Sequence, residues 1–267
     1  MDVRHERWRL TVAYNGSGFH GFAFQQGQPT VAGALVEALA RITQSQISLT
    51  CAGRTDTGVH ALGQVVHFDL PREISAGLDP EAVVKSCNSQ LGPAIVVRDA
   101  EVAPEGFDAR HSALARRYRY LVLNAPVGDP LLAGLTWQVG DVLDLRSMAA
   151  AADAILGEHD FRAFCRRPPG SSPDQPINRR VLGTRWSHLD SDEGPGPVVG
   201  SLLAFEIEAN AFCHQMVRSL VGTLVDVGRR RKRPADMVQI LRSADRRLAS
   251  QPAPPQGLTL MSVRYPD

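Results

Sequence analysis

The feature that most constrains this chain is the order in which two hydrophobic periods follow one another. Residues 7–14 alternate, with Trp8, Leu10, Val12 and Tyr14 against Arg9, Thr11 and Ala13, which is the period of a strand. Thr30 then stands as an N-cap before a helical period to about residue 42, carrying Val31, Leu35, Leu39 and Ile42 on one face. Residues 47–51 and 64–69 read as two further strands, the second rich in β-favouring Val65, Val66 and Phe68. Asp79-Pro80-Glu81 opens a second helix with an acidic cap and proline at its first position. Residues 94–102 form a last strand. The first hundred residues thus read β-α-β-β-α-β, the order of the ferredoxin-like split βαβ and of many RNA-binding sheets.

The remainder repeats that order with looser spacing. Residues 116–123, Arg-Arg-Tyr-Arg-Tyr-Leu-Val-Leu, alternate strongly. An alanine-rich helix is expected over 143–156, strands over 179–188 and 202–209, helices over 212–228 and 236–243, and a last strand over 259–263. Residues 166–176, rich in proline and serine, read as a mobile loop. The expectation is an α+β protein of two ferredoxin-like (RRM-like) halves, 1–106 and 107–267. Two such sheets could join edge to edge and leave a cleft, where ligands favour binding. The repeat is one of pattern; no identity relates the halves.

Between two of the first-half strands lies Gly53-Arg54-Thr55-Asp56-Thr57-Gly58, a glycine-bracketed loop with one carboxylate beside one guanidinium. A neighbouring arginine keeps a carboxylate ionised, and glycines allow close approach of a substrate. Taken alone, the loop is open between a reactive aspartate and an Asx-type turn in which Asp56 merely bonds backbone amides. Asp56-Thr57-Gly58 also spells the aspartic protease signature, but that chemistry needs two carboxylates sharing a proton, and the chain has no second copy. His60, His67 and His214 show no metal-ligand spacing, and no metal is expected.

Net charge is +1, so global charge announces no polyanionic partner. Its distribution leans towards one, although a basic run taken alone is as readily a solvated surface. Arg116, Arg117 and Arg119 cluster, as do Arg166 with Arg167 and Arg179 with Arg180, and residues 229–233 are an unbroken basic run. Cys51, Cys87, Cys165 and Cys213 match no zinc pattern, and a reduced, cytoplasmic protein is the simplest reading. The first residues are too polar for a signal peptide, and no stretch has the length of a membrane span.

Gly53-Arg54-Thr55-Asp56-Thr57-Gly58-Val59-His60-Ala61, with Gly63-Gln64-Val65-Val66-His67-Phe68, resembles the signature of the TruA family of tRNA pseudouridine synthases. Other segments resemble the family in the family's order. They are Tyr14-Asn15-Gly16-Ser17-Gly18-Phe19-His20-Gly21, Phe107-Asp108-Ala109-Arg110 on to Arg116-Arg117-Tyr118-Arg119-Tyr120, Asn210-Ala211-Phe212-Cys213-His214-Gln215-Met216-Val217-Arg218, and Gly257-Leu258-Thr259-Leu260. The resemblance implies the pseudouridine synthase fold and a cofactor-free isomerisation of uridine in the anticodon stem-loop of tRNA, at positions 38, 39 and 40, by a cytoplasmic homodimer. It implies Asp56 as nucleophile or promoter of a glycal. Tyr118 would lie against the uracil as general base, and Arg218 would pair with Asp56. Arg54 would hold the extruded nucleotide, and Leu258 would floor the pocket. Arg116 and Arg117 would add substrate contacts. The alternative is a non-catalytic tRNA-binding or folding protein of the same fold.

Overall fold

The computed structural model describes residues 5–167, 170, 172, 174–189 and 200–266. In chain order the elements are β1 (His5–Tyr14), α1 (Val31–Thr43), β2 (Thr50–Cys51), β3 (His60–Pro71), α2 (Arg72–Ser75), α3 (Pro80–Leu91), β4 (Ile95–Val102) and β5 (Ala115–Asn124). There follow β6 (Trp137–Val139), α4 (Leu145–Asp153), β7 (Gly157–Asp160), β8 (Asn178–Leu189), β9 (Ser201–Ala209), α5 (Met216–Gly228), α6 (Asp236–Ser243) and β10 (Leu258–Arg264). The class is α+β, as expected. The chain divides into two compact units, one running up to Leu114 and resuming at Leu260, the other spanning Ala115–Thr259. None of the described helices is long and apolar enough to cross a membrane.

In the first unit β1 lies between β4 and β3, antiparallel to both, with Leu10 opposite Val66 on one side and Ala100 on the other. α1 packs on α3, and α3 on β4. Both helices start where the sequence signals them. The Thr30 hydroxyl accepts from the Gly33 amide and the Asp79 carboxylate from the Ala82 amide, each cap worth about 1 kcal/mol. β3 is longer than its expected core because it is covered on both faces. Val66 and Phe68 are buried beside β1, while Val65 joins Ala52, Phe107 and Ala109 on the other face. A strand buried on both sides shows no clean alternation. The strand expected over 47–51 shrinks to Thr50–Cys51, and the short helix α2 was not anticipated. α2 is tied down by Ser75, whose hydroxyl accepts from Trp8 Nε1 at 2.8 Å and donates to Glu6 at 2.6 Å.

In the second unit the strand order is β5-β9-β8-β7, antiparallel throughout, with β6 parallel to β5. α5 is buried nearly all round, from Met216 and Val217 through Leu220, Val221, Leu224 and Val225, and packs on α4. It begins at Met216, four residues later than its apolar spacing implies, because Gln215 sits at φ 64°, outside helical space. Strands β6 and β7, of three and four residues, are too short to show a period. The expected loop over 166–176 lies partly outside the described residues.

The cysteine reading needs correction. Cys165 and Cys213 form a disulfide with Cα atoms 5.7 Å apart, leaving Cys51 and Cys87 as thiols. The pairing was invisible because 48 residues separate the partners and only the fold brings them together. Burial pushes both remaining thiols up to about 11, so they are protonated at neutral pH.

Candidate active site

The Asp56 loop is held by backbone on two sides. The Val59 amide closes a turn onto the Asp56 carbonyl at 3.1 Å, and the Phe22 amide donates to the Thr55 carbonyl at 3.1 Å. Gly16 donates its amide to His60 Nδ1 at 3.0 Å, directly after the loop. A Cβ on Gly16 would stand 2.1 Å from the Val59 carbonyl oxygen, so glycine is what lets the 14–22 segment lie against the loop. Asp56 is half-buried, Arg54 exposed and Thr55 buried. His60 and His67 are both buried ring acceptors, His67 taking the Ala109 amide at 2.9 Å. Burial, with Arg7 nearby, holds the His67 imidazole below its ordinary value.

The Phe107–Arg110 stretch serves as a clasp for the first unit. Tyr265 donates to the Ala109 carbonyl at 2.6 Å, and Arg7 reaches the Phe107 carbonyl at 2.6 Å while forking onto Asp69. Asp108 accepts the amides of Arg110 and His111. Among the described residues no group of His, Cys, Asp and Glu could hold a metal ion.

In the second unit Tyr118 sits on β5 opposite Ile207, 7% exposed, with Phe212 edge-on at 5.0 Å between ring centroids. Alternation along β5 sorts the arginines. Arg116 shares the face of Tyr118 and is buried, donating to the Asn210 carbonyl at 2.8 Å. Arg117 and Arg119 point to the other face and both bind Glu206, at 2.5 and 2.7 Å. Burial favours protonation of Glu206, yet bonds from Arg119 and Arg117 outweigh it and hold the carboxyl below its usual range.

Arg218 projects from the first turns of α5. Its Nε donates to the Ala253 carbonyl at 2.7 Å, and the Ala253 amide returns a bond to the Arg218 carbonyl at 2.9 Å. This reciprocal clamp belongs to a strap over residues 250–257. The Ser250 amide reaches the Thr223 hydroxyl at 3.1 Å, and the Tyr120 hydroxyl donates to the Pro254 carbonyl at 2.7 Å. Gly222 lets the strap cross the helix, since a Cβ there would lie 2.0 Å from the Gln251 carbonyl oxygen. The strap delivers Leu258, 6% exposed, to the start of β10. Burial pushes the Tyr120 hydroxyl far up, with the Arg218 charge opposing it.

Arg218, Tyr120 and the approach to Leu258 are therefore neighbours. Sequence reasoning missed Tyr120 and the strap, because what the strap offers is carbonyl oxygens, which carry no side-chain signature. It also treated 229–233 as one basic run. Arg229 in fact pairs with Asp141 at 2.6 Å and lies over the Trp137 ring at 5.5 Å, and Lys232 donates to the Leu248 carbonyl at 3.1 Å. Part of that run is structural.

The sequence model of the tRNA pseudouridine synthase family matches residues 10–112 and 151–266. A tRNA pseudouridine synthase A of Frankia casuarinae is 44% identical over 97% of this chain and 89% of its own. Proteins of the same name from Methylacidiphilum infernorum and Leifsonia xyli are 39% and 40% identical over 100% of this chain, covering 98% and 94% of theirs. The Asp56 loop lies in the first matched block and Arg218 with its strap in the second, while Arg116, Arg117 and Tyr118 lie between the two. By this match and these identities, the chain belongs to the tRNA pseudouridine synthase family.

Proposed function

We propose that the protein isomerises uridine to pseudouridine in tRNA, and that its targets are positions 38, 39 and 40 of the anticodon stem-loop. The observation that carries this reading is the Asp56 loop: a half-buried carboxylate on a tight turn fixed to the start of β3, in a chain of this family. The reaction breaks the bond from uracil N1 to ribose C1′, turns the base, and joins C5 to C1′. The C5 proton leaves and N1 gains one, so no atom or electron is gained overall and the reading invokes no cofactor.

Asp56 is the carboxylate that acts on the sugar. Tyr118 stacks on the uracil and takes the C5 proton; its edge contact with Phe212 restricts the ring. Arg218, whose Nε is held by the Ala253 carbonyl, is the cation proposed as the ion-pair partner of Asp56. Arg54, exposed on the loop, holds the flipped nucleotide, and Leu258 floors the pocket. Arg116, on the face of Tyr118, and Arg117, on the other, contact the RNA. The halves 1–106 and 107–267 are ferredoxin-like repeats that each carry part of this machinery. The protein works as a homodimer in the cytoplasm, and its RNA affinity falls steeply with salt.

The test incubates the protein with a transcribed anticodon stem-loop and with uridine-to-cytidine variants at each of the three positions, then maps pseudouridine. Product confined to these uridines supports the proposal. Tight RNA binding with no product would instead favour a non-catalytic tRNA-binding protein.

A further inference from the structure

We propose that Tyr14 and Gln64 are positioning residues for Asp56, acting through a one-directional chain of hydrogen bonds that ends on Thr55. The inference rests on the reading of Asp56 as the reacting carboxylate.

Gln64 lies on β3 at 0% exposure. Its Nε2 is 2.6 Å from the Gly53 carbonyl oxygen and 3.4 Å from the Tyr14 hydroxyl. A carbonyl only accepts, so the amide nitrogen must face Gly53, and that settles which way the side chain points. Its second proton is then directed at the Tyr14 oxygen. With that oxygen accepting, the single Tyr14 proton is left for Thr55 Oγ1 at 2.8 Å. Thr55 precedes Asp56 directly, and its carbonyl already holds the Phe22 amide. The peptide leading into Asp56 is gripped at its side chain by Tyr14 and at its backbone by residue 22. Gln64 grips the loop once more at Gly53, on the far side of Arg54.

The arrangement is a poor one for stability alone. Gln64 Oε1 is buried and has no hydrogen-bond partner among the described residues, and a buried amide oxygen left unpaired is costly. Burial also drives the Tyr14 hydroxyl far above its ordinary value, with the bonds to Thr55 and Gln64 opposing, so it stays a protonated donor. Tyr14→Phe and Gln64→Leu would fill the same space, each leaving one polar partner, Thr55 Oγ1 or the Gly53 carbonyl, without its bond. What they would lose is the directional hold on the loop, which is the kind of support a reacting group needs.

The test compares Tyr14→Phe, Gln64→Leu and the double variant by single-turnover tritium release from 5-tritiated uridine in an anticodon stem-loop. RNA affinity and Tm are measured alongside. Each single variant is expected to lose at least about tenfold in rate, which is about 1.4 kcal/mol in the barrier. Affinity should stay within about twofold. Each single variant leaves one partner without its bond, Thr55 Oγ1 or the Gly53 carbonyl, so Tm should fall somewhat, and rates are compared at a temperature where every variant is fully folded. The double variant should lose little more than either single, since both act through one chain. Thr55→Ser, which keeps the oxygen, should recover most of the rate lost by Thr55→Val, and this pair carries the test if a core variant does not fold. Rates within twofold of the parent, or losses that follow Tm or affinity, would overturn the proposal. Asp56→Ala separates the two ideas. If it keeps turnover, the reading of Asp56 and this inference fall together. If it is inactive while Tyr14→Phe runs at the parent rate, the inference alone fails.

Discussion

Asp56 and Arg218 are held by opposite strategies. Asp56 rides a short turn whose grip comes from single hydrogen bonds: Phe22 to Thr55, Tyr14 to Thr55, Gln64 to Gly53, and Gly16 to His60. Arg218 rides a helix buried nearly all round and is clamped through backbone by the strap at Ala253. The difference teaches where precision and stability reside. Changes around the turn should shift geometry and rate with little effect on folding. Changes around α5 and its strap should reach the core.

The largest effect expected from breaking this contrast is at Arg218. Arg218→Ala removes the bond to Ala253 and, on the proposed roles, the charge that pairs with Asp56. A fall of about 10²–10³ in kcat is expected, the loss typical of a preorganised electrostatic contact. Arg218→Lys should recover little of it, because an ammonium cannot bond Ala253 and present a planar fork at once. Recovery of most of the rate by lysine would show that charge alone matters and that the clamp does not orient it.

Next comes Gly222→Ala. The added Cβ would stand 2.0 Å from the Gln251 carbonyl oxygen, so strap or helix must move. Overpacking of this kind costs about 1–3 kcal/mol, read as a lower midpoint in urea. Unchanged stability would mean that the strap is loosely held and that Arg218 resembles the turn more than the contrast allows.

The smallest effect sharpens the description of the first unit. His67 is held neutral by burial and by Arg7, so its folded value lies below its unfolded one near 6.5. Its contribution is therefore present in full above about pH 6.5 and is lost as pH falls through the folded value. His67→Asn can still accept the Ala109 amide but does not titrate. Melting curves from pH 7.5 to 5 should fall for the parent and lie flatter for the variant. Parallel curves would remove His67 as the source.

What the sequence made legible follows from the range of each cause. Local causes were visible. Thr30 and Asp79 cap the helices they were assigned, residues 116–123 lie within β5, and α6 spans 236–243 as its period implies. Tertiary causes were not. The bond between Tyr14 and Gln64 joins residues 50 positions apart, and the Cys165–Cys213 pair spans 48. Arg229 reads as one more cation in a basic run until Asp141 and Trp137 are brought beside it. The residues proposed for the site were named by motif, since those segments follow the family's order along the chain. The groups that hold them, carbonyls of a strap and hydroxyls under a turn, leave no such trace.

The most direct measurement of the central claim is single-turnover tritium release from 5-tritiated uridine in an anticodon stem-loop, by the parent and by Asp56→Ala, with RNA affinity measured in parallel. Joining C5 to the ribose must expel the label, so release reports the isomerisation itself. The account predicts release by the parent, and a loss of several orders of magnitude in Asp56→Ala with RNA still bound, the pattern of a group used only in the transition state. Release by Asp56→Ala at a rate near the parent's would contradict it.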